Sequence, residues 1–286
     1  YITTIRDHTH RSAHGGARFY LADTFPEEYH NHLFMCNIHQ HQVLTDYMPR
    51  KGSSFIGSHG FDFVTTNDLA WVGFSVLTGP EGGVYILDWH DTDICGNAIN
   101  FPDSGRIYQI MPKGAKPIER PDIPSLSDIE LARLQTHRND WYVRQARTEL
   151  QYRAQSGNFD QTAVYGELLQ QLGSATTSGK RLRALWALHV TGGQNKANLT
   201  SLLTHEDEYV RAWAVQFLCE DRNPHDEALA RFAGLAENDP SPVVRLYLAS
   251  ALQRIPFEER WGILSSLAMH EEDAEDNNIP RMLWFA

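Results

Sequence analysis

A multidomain β + α chain is predicted, with a strand-rich segment over residues 1–111, a Pro-rich linker over 112–124 and an α-helical solenoid over 125–286. Three observations predict it. Short apolar runs with two-residue alternation fill the first part and stop near Ile110. Four prolines, Pro112, Pro117, Pro121 and Pro124, then interrupt the chain. Beyond Ser125 the apolar spacing turns helical, and one short Asp-to-Arg motif recurs.

The strand-rich segment reads as seven runs. Arg18–Ala22, Leu33–Ile38 and Gln42–Tyr47 are the first three, and Ser54–Val64, rich in Phe, Ile and Gly, is the fourth. Val72–Leu77 opens a second set. Gly79-Pro80-Glu81-Gly82-Gly83 is a tight turn, because Pro fixes φ and Gly admits positive φ. Val84–Trp89 and Gly105–Ile110 follow. Strands this closely spaced, with no helical pattern between them, predict a partial β-propeller: one blade of four strands and one of three, the last two blades of a ring. Two blades cannot close a ring, and the chain opens on Tyr1 and stops in an apolar run at Ala286. A portion of a longer protein is therefore expected.

In the second half Ser125-Leu126-Ser127-Asp128 supplies the N-cap expected before Ile129, Leu131 and Leu134. The motif reads Asp140-Trp141-Tyr142-Val143-Arg144, then Asp207-Glu208-Tyr209-Val210-Arg211, with a longer variant from Asp239 to Arg245 and a degenerate one at Arg181-Leu182-Arg183. Its arginines at 144, 183, 211 and 245 are 39, 28 and 34 residues apart, the spacing of HEAT-like helix pairs. The Asp is expected to cap a helix, the Val to enter the core and the Arg to pair with the Asp of a neighbouring repeat. Trp141, Trp186 and Trp213 are expected at equivalent core positions, and Glu271–Asp276 as a solvated loop. A stack of this kind offers a surface for a protein partner.

The bulk numbers exclude some functions. The formal charge is -11, and residues 1–120 hold 9 Lys/Arg against 13 Asp/Glu, so neither half has the basic excess of a nucleic-acid groove. No run reaches the roughly 18 apolar residues of a membrane span. Cys36, Cys95 and Cys219 are too few for a disulfide scaffold; Cys36 and Cys95 either pair or remain buried thiols. No Cys-x-x-Cys-His occurs, so the chain attaches no c-type haem.

Taken together the chain resembles the PVC-type membrane-bound dehydrogenase family of planctomycetes and related bacteria. The residues that carry the resemblance are Phe25–Tyr29, Leu33–His39, Gly57–Phe63, Gly79–Pro80 through Asp88–Asp91, Gly105–Tyr108, Asn139–Arg144 and His205–Val215. It departs at His90, often Tyr in the family, at Cys36, often Asn, and in lacking the cytochrome module and upstream blades. The resemblance implies a quinoprotein glucose/sorbosone dehydrogenase-like propeller followed by HEAT repeats. It further implies oxidation of sugar-like alcohols in the periplasm or at the cell surface, with PQQ and Ca²⁺ as cofactors and a fused or separate cytochrome c as electron acceptor. Residues 1–286 alone are expected to be inactive. The alternative class is a non-enzymatic scaffold binding a protein or glycan.

Candidate site residues follow from the chemistry such a reaction needs. A general base must take the alcohol proton, and His suits that near neutral pH; His14 and His39 are the candidates. His8, His10 and His14 are also spaced to bind a metal, to line a channel or to sit in a surface loop; no metal site is assigned. Asp88 and Asp91, flanking Trp89, offer hard oxygen ligands for calcium or cap a loop. Arg106 offers a bidentate contact to a quinone carboxylate, or is a solvated strand end.

Overall fold

The structure, a computed structural model, describes residues 5–6, 13–93, 98–116 and 118–286. Strands occupy the chain up to Ile110 and about ten helices follow from Asp128, so the class is β then α. His8, His10 and Cys95 lie outside the described residues.

The first sheet contains β1 (Ile5–Arg6), β2 (His14–Phe19), β3 (Leu33–Asn37), β4 (Gln42–Tyr47) and β7 (Gly57–Thr65) in the order β1-β7-β4-β3-β2. From β2 to β7 neighbours are antiparallel, whereas β1 joins β7 in parallel. Between β4 and β7 a two-stranded ribbon, β5 (Arg50–Lys51) and β6 (Ser54–Phe55), juts out. The second sheet is β8 (Gly73–Thr78), β9 (Val84–Asp88) and β10 (Arg106–Ile110), all antiparallel in the order β10-β9-β8. Among the described residues neither sheet closes into a ring.

Two strand expectations shift. The run expected at Arg18–Ala22 leaves the sheet after Phe19. The Tyr20 side chain pulls it inward, its hydroxyl donating to the Gly82 carbonyl (2.8 Å) and accepting from the Phe25 amide (3.0 Å). The run expected at Ser54–Val64 is broken at Ile56 into ribbon and strand.

Tyr20, Phe34, Cys36, Val43, Trp71, Val76, Val84 and Ile86 form one core between the sheets. Backbones meet closely where β2 crosses β8. Gly16 has φ +51°, and a Cβ there would lie 2.6 Å from Ser75 Cα. A Cβ on Gly73 would lie 2.8 Å from Cys36 Sγ. Only glycine permits that approach.

The helices are α1 (Asp128–Arg133), α2 (Asp140–Ser156), α3 (Gln161–Ser174), α4 (Ser178–Val190), α5 (Lys196–Leu202), α6 (Glu208–Leu218), α7 (Asp226–Asn238), α8 (Pro242–Ala251), α9 (Arg260–Ala268) and α10 (Ile279–Phe285). They pack in two rows. α2, α4, α6, α8 and α10 lie in one; α1 packs on α3, and α5, α7 and α9 follow in the other. Val143, Val210 and Val244 are fully buried, as the motif predicts, the last two within the shared helical core.

The motif's polar residues form a ladder. Arg181 reaches Asp207 (3.2 Å), Arg211 grips Asp239 (2.7 and 2.9 Å) and Arg245 grips Asp273 (2.5 and 2.7 Å). Arg144 differs: it turns back to Asp140 in its own helix (2.5 Å), which also receives Arg183 (2.9 Å). Capping is shared among residue types. Ser127 forms a capping box with Glu130, and Asp207 caps α6 as expected. Asn139 rather than Asp140 caps α2, and Ser241 caps α8 while Asp239 holds the Ser241 amide (2.9 Å). Trp186 and Trp213 meet edge to face at 5.1 Å in mid-helix, but Trp141 stands in the first turn of α2, so the three are not equivalent.

The first row starts against the sheets. Ahead of α2, Asn139 Nδ2 donates to the Gly79 and Pro80 carbonyls (both 2.9 Å), and the Asp140 amide donates to the Leu21 carbonyl (2.8 Å). At α6, Glu208 takes both ends of the Arg50 guanidinium. Before α10, Asp276 accepts from the Ser53 amide (2.8 Å) and hydroxyl (2.6 Å). The acidic run is thus no solvated loop: Asp273 is buried against Arg245, and Asp276 clamps the β5–β6 ribbon.

The two ribbon contacts are acid-sensitive. The Arg50 hydrogen bond holds the Glu208 carboxyl below its ordinary value. Burial pushes Asp276 up, but hydrogen bonds from Ser53 and from the Asn278 and Ile279 amides outweigh it and leave that carboxyl lowered too. Groups with depressed folded-state values stabilise fully above the unfolded carboxylate range, about pH 4, and lose that contribution as pH falls through the lowered values. Hydrogen exchange of residues 50–55 is therefore expected to accelerate below about pH 4 relative to the helical core. Uniform acceleration of ribbon and core would contradict this assignment.

Candidate functional site

The candidate residues gather at one end of the two sheets. His14 opens β2 opposite Asn37, the last residue of β3, and Asn37 faces Gln42 at the start of β4. In the second sheet Gly73 opens β8 opposite Asp88, the last residue of β9, and Asp88 faces Arg106 at the start of β10. A Cβ on Gly15 would touch the Phe74 carbonyl (3.3 Å), so the two ends adjoin. His41 Nδ1, 2.7 Å from the Trp71 carbonyl, ties them together.

His14 is an exposed strand residue rather than part of a loop. His39 is exposed in the β3–β4 turn, whose shape is set by Asn37 Oδ1 accepting the amides of His39 (3.3 Å) and Gln40 (3.2 Å). Two exposed imidazoles on one sheet end are accessible to a ligand; Asn37 is buried beneath them.

Asp88 and Asp91 are both buried and hold backbone. Asp88 Oδ1 accepts the amides of Val72 (2.8 Å) and His90 (2.9 Å), pinning the start of β8 to the end of β9. Asp91 accepts the amides of Asp93 (2.9 Å) and Asn100 (3.0 Å) and the Asn100 side chain (3.1 Å), closing the loop before β10. The Asp93 amide contributes most to holding the Asp91 carboxyl below its ordinary value. Calcium takes 6–8 oxygens converging on one point. These two carboxylates serve separate backbone segments, and among the described residues no group of three or more His, Cys, Asp or Glu is placed for a metal. Both carboxylates hold loop backbone, while Asp88 Oδ2 is buried with no hydrogen-bond partner among the described residues.

Arg106 is engaged as well. It donates to Asp68 Oδ2 (2.9 Å), to the Tyr108 hydroxyl (2.9 Å) and to His90 Nε2 (2.6 Å). His90 Nε2 also lies 3.3 Å from Asp68 Oδ2, and on the other side of the ring Nδ1 lies 2.6 Å from Ser104 Oγ. The Ser104 hydroxyl in turn donates to the Phe101 carbonyl (3.0 Å). This relay holds His90 at φ +51° and locks the loop. Arg106 is engaged by these partners, and its side chain stays 42% exposed beside the groove that Trp89 lines. Sequence reading missed Asp68 and Ser104 because they lie 38 and 2 residues from Arg106 with no shared period.

Trp89 is half-exposed. With Leu87, Ile99, Phe101 and Ile107 it lines a groove of about 530 Å³ that has Arg106 at its rim. Cys36 lies behind, fully buried; burial, with help from the Asp88 carboxylate, pushes its thiol up to about 12, which makes it inert as a nucleophile. Cys219 is a second buried free thiol.

Among the described residues no helix is long and apolar enough to cross a membrane. No curated protein matches the chain. Residues 2–114, which contain both sheets, match a family described as a domain of unknown function, DUF7133.

Proposed function

We propose that the two sheets are blades of a quinoprotein dehydrogenase-like propeller and that the helices are HEAT-type repeats bracing them. In this reading the chain belongs to a larger protein of the PVC-type membrane-bound dehydrogenase kind. It oxidises sugar-like alcohols in the periplasm or at the cell surface and passes electrons to a cytochrome c. One observation carries the proposal: His14, His39 and the Trp89 groove, scattered through the sequence, share one end of the stacked sheets. His14 or His39 then takes the alcohol proton. Asp88, Asp91 and Arg106 hold loop and strand ends here, so a contact from them to PQQ or calcium would add to those roles.

The test is the full-length protein loaded with PQQ and Ca²⁺ and assayed for dye reduction over a panel of sugars. Turnover is expected with at least one sugar, and it should fall in His14→Ala or His39→Ala without a change in melting temperature, since both side chains are exposed. No turnover with any sugar would sink the enzymatic reading. The engaged state of Asp88, Asp91 and Arg106 favours the second reading, a propeller and HEAT scaffold holding a glycan or protein. Sugar binding without dye reduction would support it.

A further inference from the structure

We infer that the cleft between the β2–β3 connection and the starts of α2 and α4 is a binding site for a small oxyanion: a carboxylate, phosphate or sulfate group carried by a soluble metabolite. The cleft encloses about 680 Å³ and lies at the sheet end opposite His14 and His39, since its sheet-side wall includes Leu21, Asp23 and Asn31. It is therefore separate from the site proposed above and does not depend on that reading.

Charge is the first argument. In a chain of formal charge -11, five cations converge here: Arg138, Arg144, Arg147, Lys180 and Arg183. Three acids, Asp23, Glu27 and Asp140, share the lining. Asp140 is occupied by Arg144 and Arg183, and Asp23 by a long contact to Arg138 (3.7 Å). Arg147 and Lys180 have no acidic partner within ion-pair distance among the described residues. Burial lowers the Arg147 guanidinium; the nearby Asp140 carboxylate opposes this, and the like charges of Arg144 and Arg183 add to it.

Unmet donors are the second, independent argument. Arg147 stacks over the Trp186 ring, 5.5 Å from guanidinium carbon to centroid. Arg147 Nη1 and Trp186 Nε1 are both buried donors with no acceptor among the described residues. Buried donors ordinarily find an acceptor. An oxyanion supplies several at once, together with the negative charge that Arg147 and Lys180 lack. α2, α6 and α10 start in contact with the sheets, whereas the start of α4, at Thr177, Gly179 and Lys180, faces this cleft and leaves room for a ligand.

Isothermal titration of the 286-residue chain in low-salt buffer, with inorganic phosphate, inorganic sulfate, glucuronate and neutral glucose, tests this. Saturable binding of at least one anion and none of glucose is expected, and the preferred anion identifies the group. Lys180→Gln, on a partly exposed side chain, and Arg147→Gln should each weaken it by about tenfold or more, the usual worth of a charged hydrogen bond. No saturable binding of any anion would overturn the inference. Unchanged affinity in a folded Lys180→Gln variant would overturn it equally, because the anion would then be held elsewhere.

Discussion

Replacing Arg245 by alanine is expected to destabilise the helical stack by about 3–5 kcal/mol, the usual cost of breaking a buried ion pair from one side. Arg245 is only 2% exposed. Its guanidinium meets both oxygens of Asp273 and the Asp239 carbonyl (2.9 Å). Truncation would strand a buried carboxylate and a carbonyl in a pocket that water reaches poorly. Urea unfolding followed by far-UV circular dichroism measures the loss. Two comparisons separate the pair from mere helix truncation. Arg144→Ala removes a half-exposed intrahelical pair and should cost no more than about 1 kcal/mol. Replacing Arg245 and Asp273 together by Met and Leu should recover most of the stability, because no lone charge remains. A cost below about 1 kcal/mol for Arg245→Ala would mean that the ladder is ornamental rather than structural.

Gly16→Ala is expected to cost roughly 2–5 kcal/mol, combining left-handed backbone strain with overpacking. The new Cβ would stand 2.6 Å from Ser75 Cα and 2.8 Å from the Val76 amide nitrogen, both backbone atoms that cannot swing aside. The two sheets would have to part where β2 crosses β8. Near-UV circular dichroism reports this through Trp71, buried in the shared core. Gly166→Ala in α3, with open space around its Cβ, is the control and should stabilise by up to about 1 kcal/mol. Equal behaviour of the two variants would show that the sheets are not packed as described.

Which parts of the molecule could be read in advance follows from the range of the interactions. A cap within residues 125–128, which the structure narrows to Ser127, and Asp207 as a cap were legible because a cap acts within three residues. Val143, Val210 and Val244 were legible as core because they recur at one place in a motif. The error at Glu271–Asp276 has the opposite cause. A run of acids reads as solvated unless its cations are known, and those cations and donors, Arg245 and Ser53, stand 28 and 223 residues from their partners. Arg106 and Asp88 were rightly placed at strand ends, but their partners Asp68 and Val72 lie across a hairpin.

Local periodicity therefore settled the order of β then α, most of the strand runs and the buried stripe, because propensity, capping and alternation are short-range effects. Which carboxylates hold backbone, which cations stay uncompensated, and that His14 and His39 share an end with Trp89 were settled when the sheets crossed at Gly16 and the first helix row docked on them. Those facts depend on distances between residues far apart along the chain, and a carboxylate's role depends on what it meets there.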